Sequence, residues 1–160
     1  MSALGQLTFW FDISVSDGPL PGTSERLAVF KLLYPGDDVV DGIAMDHFDF
    51  YSIVARNPAQ FAAALRPPRG VGLADGVEFA RKRGKGFAVP EWGLHAKQGA
   101  GDNPFFMKAM FNWFQQNRDV LVFESYFNES AGFIRGSIWS PNQNPRSAAV
   151  YRSLWGRPAK

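Results

Sequence analysis

The strongest constraint on the fold of this chain is an alternation, repeated four times, between short apolar segments and segments with helical spacing. The apolar segments are rich in β-branched and aromatic residues, which predicts strands. They comprise residues 7–15, 39–45, 86–90 and 120–126. Continuous apolar runs are typical of strands that are covered on both faces, as in a parallel α/β sheet.

Helix signals follow each predicted strand. The predicted helices comprise residues 24–34, 58–65, 74–83, 104–118 and 145–155. The clearest start is Asn103-Pro104, because asparagine accepts a hydrogen bond at the N-cap and proline is tolerated at the first helical position. No strand is followed by the glycine pattern of a nucleotide-binding loop. The sequence therefore predicts the α/β class, as a partial (β/α)8 TIM barrel with about four βα units, whereas a complete barrel has eight.

The composition supports one ordinary domain, residues 1–160. Hydrophobic residues make up 46% of the chain and aromatic residues 15%, which is enough to build a core. The chain has no cysteine, and this excludes disulfides, thiolate metal ligands and cysteine nucleophiles. Its histidines do not show the spacing of a metal-binding motif, so neither a metal nor a cofactor is predicted.

Charge and hydropathy argue against nucleic-acid and membrane partners. The net charge is +2, and the one dense basic run, residues 81–85, is typical of the solvated end of a helix, where cations complement the helix dipole. No apolar run reaches the ~18 residues that a membrane span requires. The N-terminal residues lack the basic region and the long apolar region of a signal peptide. The compartment is not predicted.

Polar and aromatic side chains recur where the predicted strands end. They are Asp12 and Ser14, then Asp46, His47 and Asp49, then Glu91 and His95, and finally Glu124, Tyr126 and Asn128. A (β/α) barrel builds its active site at the carboxyl ends of its strands. The distribution therefore predicts a functional site at this edge of the sheet.

Several of these residues have more than one interpretation. Glu91, in the segment PEWGLH, is either a solvated loop carboxylate or a carboxylate held at the mouth of a barrel, and the residue type alone favours the loop. Asp46 is either a structural hydrogen-bonding group or a contact to sugar hydroxyls. His95 is more typical of an exposed loop histidine than of a ligand contact.

Four ordered motifs resemble the C-terminal half of a glycoside hydrolase of family 26, or of a close relative within the clan of (β/α)8 retaining glycosidases. They are YPGDDVVD followed by GIAMDHFD at residues 34–49, PEWG at 90–93, GDNP at 101–104 and ESYFN at 124–128. The resemblance covers roughly residues 7–155. It implies that the chain carries strands five to eight of the family barrel.

The resemblance also implies a site. Glu91 matches the catalytic nucleophile of the family, and the retaining mechanism needs a second carboxylate as acid/base. In the family that residue is a glutamate on strand four, so it is missing from this chain. The implied substrate is β-mannan or a related β-glycan. Asp46 and His47 are the predicted contacts to sugar hydroxyls, and Trp92, Tyr126 and Trp139 are the predicted stacking platforms.

Two details of the motifs remain to be placed by the structure. Phe48 departs from the family, because many relatives carry a tyrosine near this position. Glu124 lies on the last predicted strand, where side-chain alternation points it either into the barrel or outward against a helix.

Two hypotheses on function follow. In the first, the chain is a retaining glycoside hydrolase whose barrel is completed by a missing N-terminal half or by a homodimer, and its ligand is a polysaccharide or oligosaccharide. In the second, the chain is a non-catalytic truncated half-barrel that binds glycan at most. Relatives in the family are commonly secreted. In the second hypothesis the half-barrel leaves strand edges unpaired, which favours association or aggregation.

Overall fold

The protein is described by a computed structural model, which covers residues 8–14, 16, 18, 20–50 and 53–156. Its sheet contains four parallel strands in the order in which they follow one another along the chain. These are β1 (Trp10–Ser14), β2 (Gly42–Phe48), β3 (Gly86–Gly93) and β4 (Leu121–Tyr126). The predicted fold class is confirmed, because four parallel strands alternate with helices in a partial barrel. The outer residues of the first predicted strand, Leu7 and Val15, lie outside the described residues.

Five helices connect or follow the strands: α1 (Ala28–Leu32), α2 (Pro58–Leu65), α3 (Leu73–Lys82), α4 (Pro104–Gln116) and α5 (Pro145–Trp155). The predicted N-cap of α4 is confirmed, because the Asn103 side chain accepts a hydrogen bond from the Phe106 N–H at 3.1 Å. Helix α1 is shorter than predicted. The chain before it forms a turn instead, in which the Ala28 N–H donates to the Glu25 carbonyl at 3.1 Å.

Two strands end further along the chain than the apolar pattern predicts. Residues 36–40 form a hydrogen-bonded turn in which Val39 is 50% exposed, so β2 begins at Gly42 and continues through His47. Strand β3 continues past Pro90 to Gly93, although proline has no N–H for the ladder. The pairing of β2 with β3 is irregular between Ala44 and His47, which accommodates this residue.

The two faces of the sheet have different surroundings. The outer face packs against the helices through Ile43, Met45, Phe87 and Val89, all of which are fully buried in the core. The opposite face, called the inner face here, carries the Trp10 ring, which lies over Gly42 and meets Phe123 edge-on with ring centroids 5.7 Å apart.

Helix α3 approaches strands β2 and β3 closely at Gly76. A Cβ atom at this position would collide with the Met45 sulfur and would lie 2.7 Å from the Phe87 ring. Both of these side chains are fully buried, so neither has room to move aside. The absence of a side chain at Gly76 therefore sets how closely the helix can pack on the two central strands.

We predict that Gly76→Ala destabilises the protein. Alanine gains about 1 kcal/mol over glycine in a helix interior, but overpacking of a dense core costs about 1–3 kcal/mol. The expected net result is a loss of roughly 1 kcal/mol, and of about 2 kcal/mol at most, in the free energy of unfolding, measured by urea denaturation. Gly132→Ala is the control, because nothing lies within 4 Å of its Cβ position. A Gly76→Ala protein as stable as the original would contradict the packing argument.

Candidate active site

Three carboxylates meet on the inner face, at the carboxyl ends of β1, β2 and β3. They are Asp12, Asp46 and Glu91, called the carboxylate trio here. Asp12 follows Trp10 by two residues and therefore shares its face, and the next inner position, Ser14, pairs with Asp46. The Asp46 Oδ1 atom accepts a hydrogen bond from the Glu91 N–H at 3.1 Å. The sheet thus brings together two predicted site residues, Glu91 and Asp46, and adds Asp12.

The negative charges of the trio act on one another. Partial burial, followed by the charges of Asp12 and Glu91, raises the pKa of Asp46 to about 6, although the Glu91 N–H opposes the shift. Burial and the Glu91 charge also raise the pKa of Asp12. A carboxylic acid with a pKa near 6, as Asp46 has, exchanges its proton near neutral pH. The site therefore combines an exposed carboxylate, Glu91, with a neighbour that is able to hold a proton.

Trp92 and His47 lie on the opposite side of the sheet from the trio. The indole of Trp92 is fully buried and stacks on Trp155 with ring centroids 5.5 Å apart. His47 pairs with Trp92 across the strands, is 1% exposed and packs against the Phe106 ring at 5.7 Å. Neither side chain presents a surface to a sugar, so their placement does not favour the predicted contacts, which stay predictions.

Glu124 points outward, and this answers the question that the sequence left open. Its two carboxylate oxygens accept hydrogen bonds from the indole nitrogens of Trp92 and Trp155, the latter at 2.7 Å. Both indoles belong to the helix-covered side of the sheet. Glu124 is therefore a structural acceptor for buried indoles and does not face the carboxylate trio.

Tyr126 and Trp139, the two remaining predicted platforms, line one pocket of about 490 Å³ beside β4 and α5, called the aromatic pocket here. Its other walls include Tyr151, Arg152 and Trp155. Trp139 is 69% exposed, whereas the Tyr126 hydroxyl donates to the Gly136 carbonyl at 2.6 Å. The sequence analysis missed the contribution of α5, although Tyr151 and Trp155 stand four residues apart and so share a helix face.

Loop residues after the strands hold this edge of the sheet in shape. The Asp49 carboxylate accepts hydrogen bonds from the N–H groups of His95 at 2.8 Å and Ala100 at 3.2 Å. The Asn128 Oδ1 atom accepts from the Ile138 N–H at 2.8 Å. Phe48, the residue that departs from the family pattern, is 8% exposed and packs edge-on against Phe127.

The described residues show neither a metal-binding cluster nor a membrane-spanning helix. Among the described residues, no group of three or more histidine and carboxylate side chains is arranged to hold a metal ion. In the same part of the chain, no helix is long and apolar enough to cross a lipid bilayer.

Comparison with solved structures places the fold among glycoside hydrolases. A double mutant of the Cellulomonas fimi endo-β-1,4-mannanase matches 79% of this chain and 26% of its own, at 20% sequence identity and a TM-score of 0.51. The catalytic domain of the GH26 endo-β-1,4-mannanase from Bacillus sp. JAMB-750 matches 89% of this chain and 37% of its own, at 16% identity and a TM-score of 0.52. The chain thus spans well under half of the length of these mannanases. No protein-family model matches the sequence, and no curated protein does.

The burial of His47 leads to a prediction on stability. Within the described part of the chain, neither ring nitrogen has a hydrogen-bond partner, and burial lowers the pKa of His47 from 6.5 to about 4. The unfolded chain therefore binds this proton first as the pH falls. The contribution of His47 to stability is lost between pH 6.5 and pH 4, by roughly 3 kcal/mol at 1.36 kcal/mol for each pH unit.

We predict that His47→Met gains stability relative to the original protein as the pH falls through this window. Burial raises the pKa of Asp46 and that of Asp49 to about 6, so these groups have the opposite effect and flatten the profile of the original protein. They are present in both proteins and cancel in the difference. The measurement is urea denaturation of both proteins at several pH values. A stability difference between the two proteins that does not change with pH would contradict the lowered pKa of His47.

Proposed function

We propose that this chain carries half of the active site of a retaining glycoside hydrolase that acts on β-mannan or a related β-glycan, with Glu91 as the nucleophile. The observation that carries the proposal is the position of Glu91. It lies exposed on the inner face, where a (β/α) barrel performs its chemistry, and its backbone N–H is fixed by Asp46. The strands would correspond to strands five to eight of the family barrel.

The chemistry of the trio supports this role. A retaining glycosidase needs an ionised carboxylate that attacks the anomeric carbon, followed by release of the glycosyl-enzyme by water. Glu91 is exposed, and Asp46 holds its strand in place by accepting a hydrogen bond from the Glu91 backbone N–H. Asp12 and Asp46 stand beside it and make the local potential more negative, which suits an oxocarbenium-like transition state.

The acid/base carboxylate is proposed to come from outside this chain. Glu124 is engaged by the indoles of Trp92 and Trp155 on the other side of the sheet and is therefore not available for it. The two structural neighbours are endo-β-1,4-mannanases, which makes β-1,4-mannan the first substrate to test. Their likeness to this chain concerns the fold.

We predict that Glu91→Gln abolishes any release of sugar from β-1,4-mannan. Glutamine has nearly the same shape but cannot attack the anomeric carbon, so the rate should fall by roughly 10⁶-fold, the scale on which an enzyme that loses its nucleophile slows down. Reducing-sugar release by the purified protein is the measurement.

The matched control is Glu25→Gln, the same change at an exposed residue of the turn before α1. It should leave the rate unchanged. Turnover that survives Glu91→Gln would remove Glu91 from the mechanism.

The aromatic pocket is the proposed position for stacking of a sugar ring. A pyranose presents C–H groups that suit an aromatic face, and Trp139 exposes most of its surface beside Arg152 and Asn128, whose polar groups suit hydroxyls. Tyr126 also lines this pocket. The pocket lies at the carboxyl end of β4, the same end of the sheet as Glu91.

We predict that Trp139→Ala weakens binding of mannohexaose by roughly tenfold, which corresponds to about 1.4 kcal/mol for an aromatic contact. Isothermal titration calorimetry measures the change. Phe133→Ala is the control, because Phe133 is 65% exposed and lines a different pocket. Equal affinity of the Trp139→Ala protein and the original would exclude this pocket as the sugar site.

A second function, glycan binding without turnover, is favoured by one observation. The described residues supply a single exposed glutamate to the inner face and no inward-facing partner on β4, because Glu124 points outward. Binding of mannohexaose that is insensitive to Glu91→Gln, together with an absence of sugar release, would support this alternative.

A further inference from the structure

As far as the described residues show, the sheet has two open edges and one uncovered face. The helices cover the outer face, whereas on the inner face Val122 is 59% exposed and Phe123 is 45% exposed. Strands β1 and β4 each pair on one side within the described sheet. Unpaired edges and exposed apolar side chains on the same surface favour association with another polypeptide.

We propose that a second copy of this chain covers this surface, so that two chains close one eight-stranded parallel barrel. All four strands are parallel, so the β4 edge of one copy can continue into the β1 edge of the other in the same direction. A twofold axis along the barrel repeats the contact on the opposite side, and both open edges of both copies are then paired. Four strands from each copy give the eight that a closed (β/α) barrel requires.

The residues of the inner face suit the interior of such a barrel. At its lower end the rings of Trp10 and Phe123 stand beside Gly42 and Gly86, where added Cβ atoms would collide with Trp10 and Val122. Barrel interiors are filled by layers of side chains from alternate strands. The inner face carries bulky residues on its edge strands and glycines on its central strands. Two such faces fill the barrel interior, and the central strands of one copy have no side chains there to collide with those of the other.

The inner face supplies about half of the area that a standard interface buries on each partner. Four strands spaced ~4.8 Å apart and about six residues long, at ~3.3 Å each, present roughly 400 Å² of inner face. A standard interface buries about 800 Å² on each partner. Pairing of the open β1 and β4 edges along both seams adds to the area that the inner face buries.

The charged residues lie where a closed barrel keeps them in water. The carboxylate trio stands at the carboxyl ends of the strands, which form the open mouth, and the chain as a whole carries a net charge of +2. Two copies place two trios around one mouth. If the proposed function holds, the second copy thereby brings further carboxylates to a site that is incomplete in one chain. The association itself rests on the fold and not on the activity.

The first test is the molar mass of the full chain in solution, measured by size-exclusion chromatography with light scattering. The chain has a mass of 17.8 kDa, so the expected species is a dimer of about 36 kDa that does not grow with concentration, because a twofold contact closes. A monomer throughout would overturn the proposal and assign the surface to a different polypeptide. A ladder of larger masses would also overturn it, since it would show edges that pair without closing.

A substitution on the inner face locates the contact. Phe123→Lys should convert the dimer to a monomer, because it introduces a charge into the barrel interior. Val39→Lys is the matched control, since Val39 is 50% exposed in the turn before β2 and is not a residue of the sheet. Circular dichroism confirms that both variants fold. A dimer that withstands Phe123→Lys would place the interface elsewhere.

Cross-linking tests which strands meet, and the absence of cysteine from the sequence makes it unambiguous. Ser14 and Ser125 are exposed residues of β1 and β4. A mixture of Ser14→Cys and Ser125→Cys chains should be linked by a short bismaleimide, whereas either variant alone should not, because equivalent strands lie on opposite sides of the barrel. Equal cross-linking of Ser14→Cys chains alone would contradict closure by a twofold axis. None of these measurements uses a substrate, so their failure is distinguishable from a failure of the proposed activity.

Discussion

A parallel sheet has to be covered on both faces, and the described helices of this chain cover one. Met45, Phe87 and Val89 are sealed between the sheet and the helices, whereas Val122 and Phe123 face away from them and remain exposed. The same uncovered face carries the carboxylate trio. The proposed chemistry and the proposed association therefore depend on one surface, and whatever covers its lower half also shapes the mouth in which Glu91 stands.

Strand pairing brings the carboxylates together at a cost in electrostatic energy. Asp46 stands next to Glu91 because the ladder between β2 and β3 leaves the Glu91 N–H to the Asp46 side chain. Burial, and after it the charges of Asp12 and Glu91 that the backbone holds close, raises the pKa of Asp46 to about 6. The core that fixes these strands, including the close approach at Gly76, offsets this repulsion. Closely spaced carboxylates with raised pKa values, on strands that a packed core holds in place, are typical of a functional site.

Much of the fold is predictable from the sequence, but the faces of the strands are not. The apolar runs predict four strands, and Asn103-Pro104 predicts the start of α4, because these signals are local. The sequence does not reveal that β3 continues past Pro90, because a residue without an N–H normally ends a strand. Here an irregular register between β2 and β3 accommodates the proline. The burial of Trp92 and of His47 depends on helices that are distant in the sequence. An exposed tryptophan platform and a core tryptophan have the same local sequence signal.

The position of Glu124 shows how a single backbone irregularity decides the composition of the site. Phe87 pairs with Leu121 and the next residue, Ala88, pairs with Phe123, so Val122 is an extra residue on β4. An inserted residue moves every following side chain to the other face. In a regular ladder Glu124 would share the inner face with the trio, whereas in this one it pairs with Val89 and accepts hydrogen bonds from two indoles. Backbone geometry therefore keeps Glu124 away from the carboxylate trio, although β4 carries a glutamate close to the carboxyl ends of the strands.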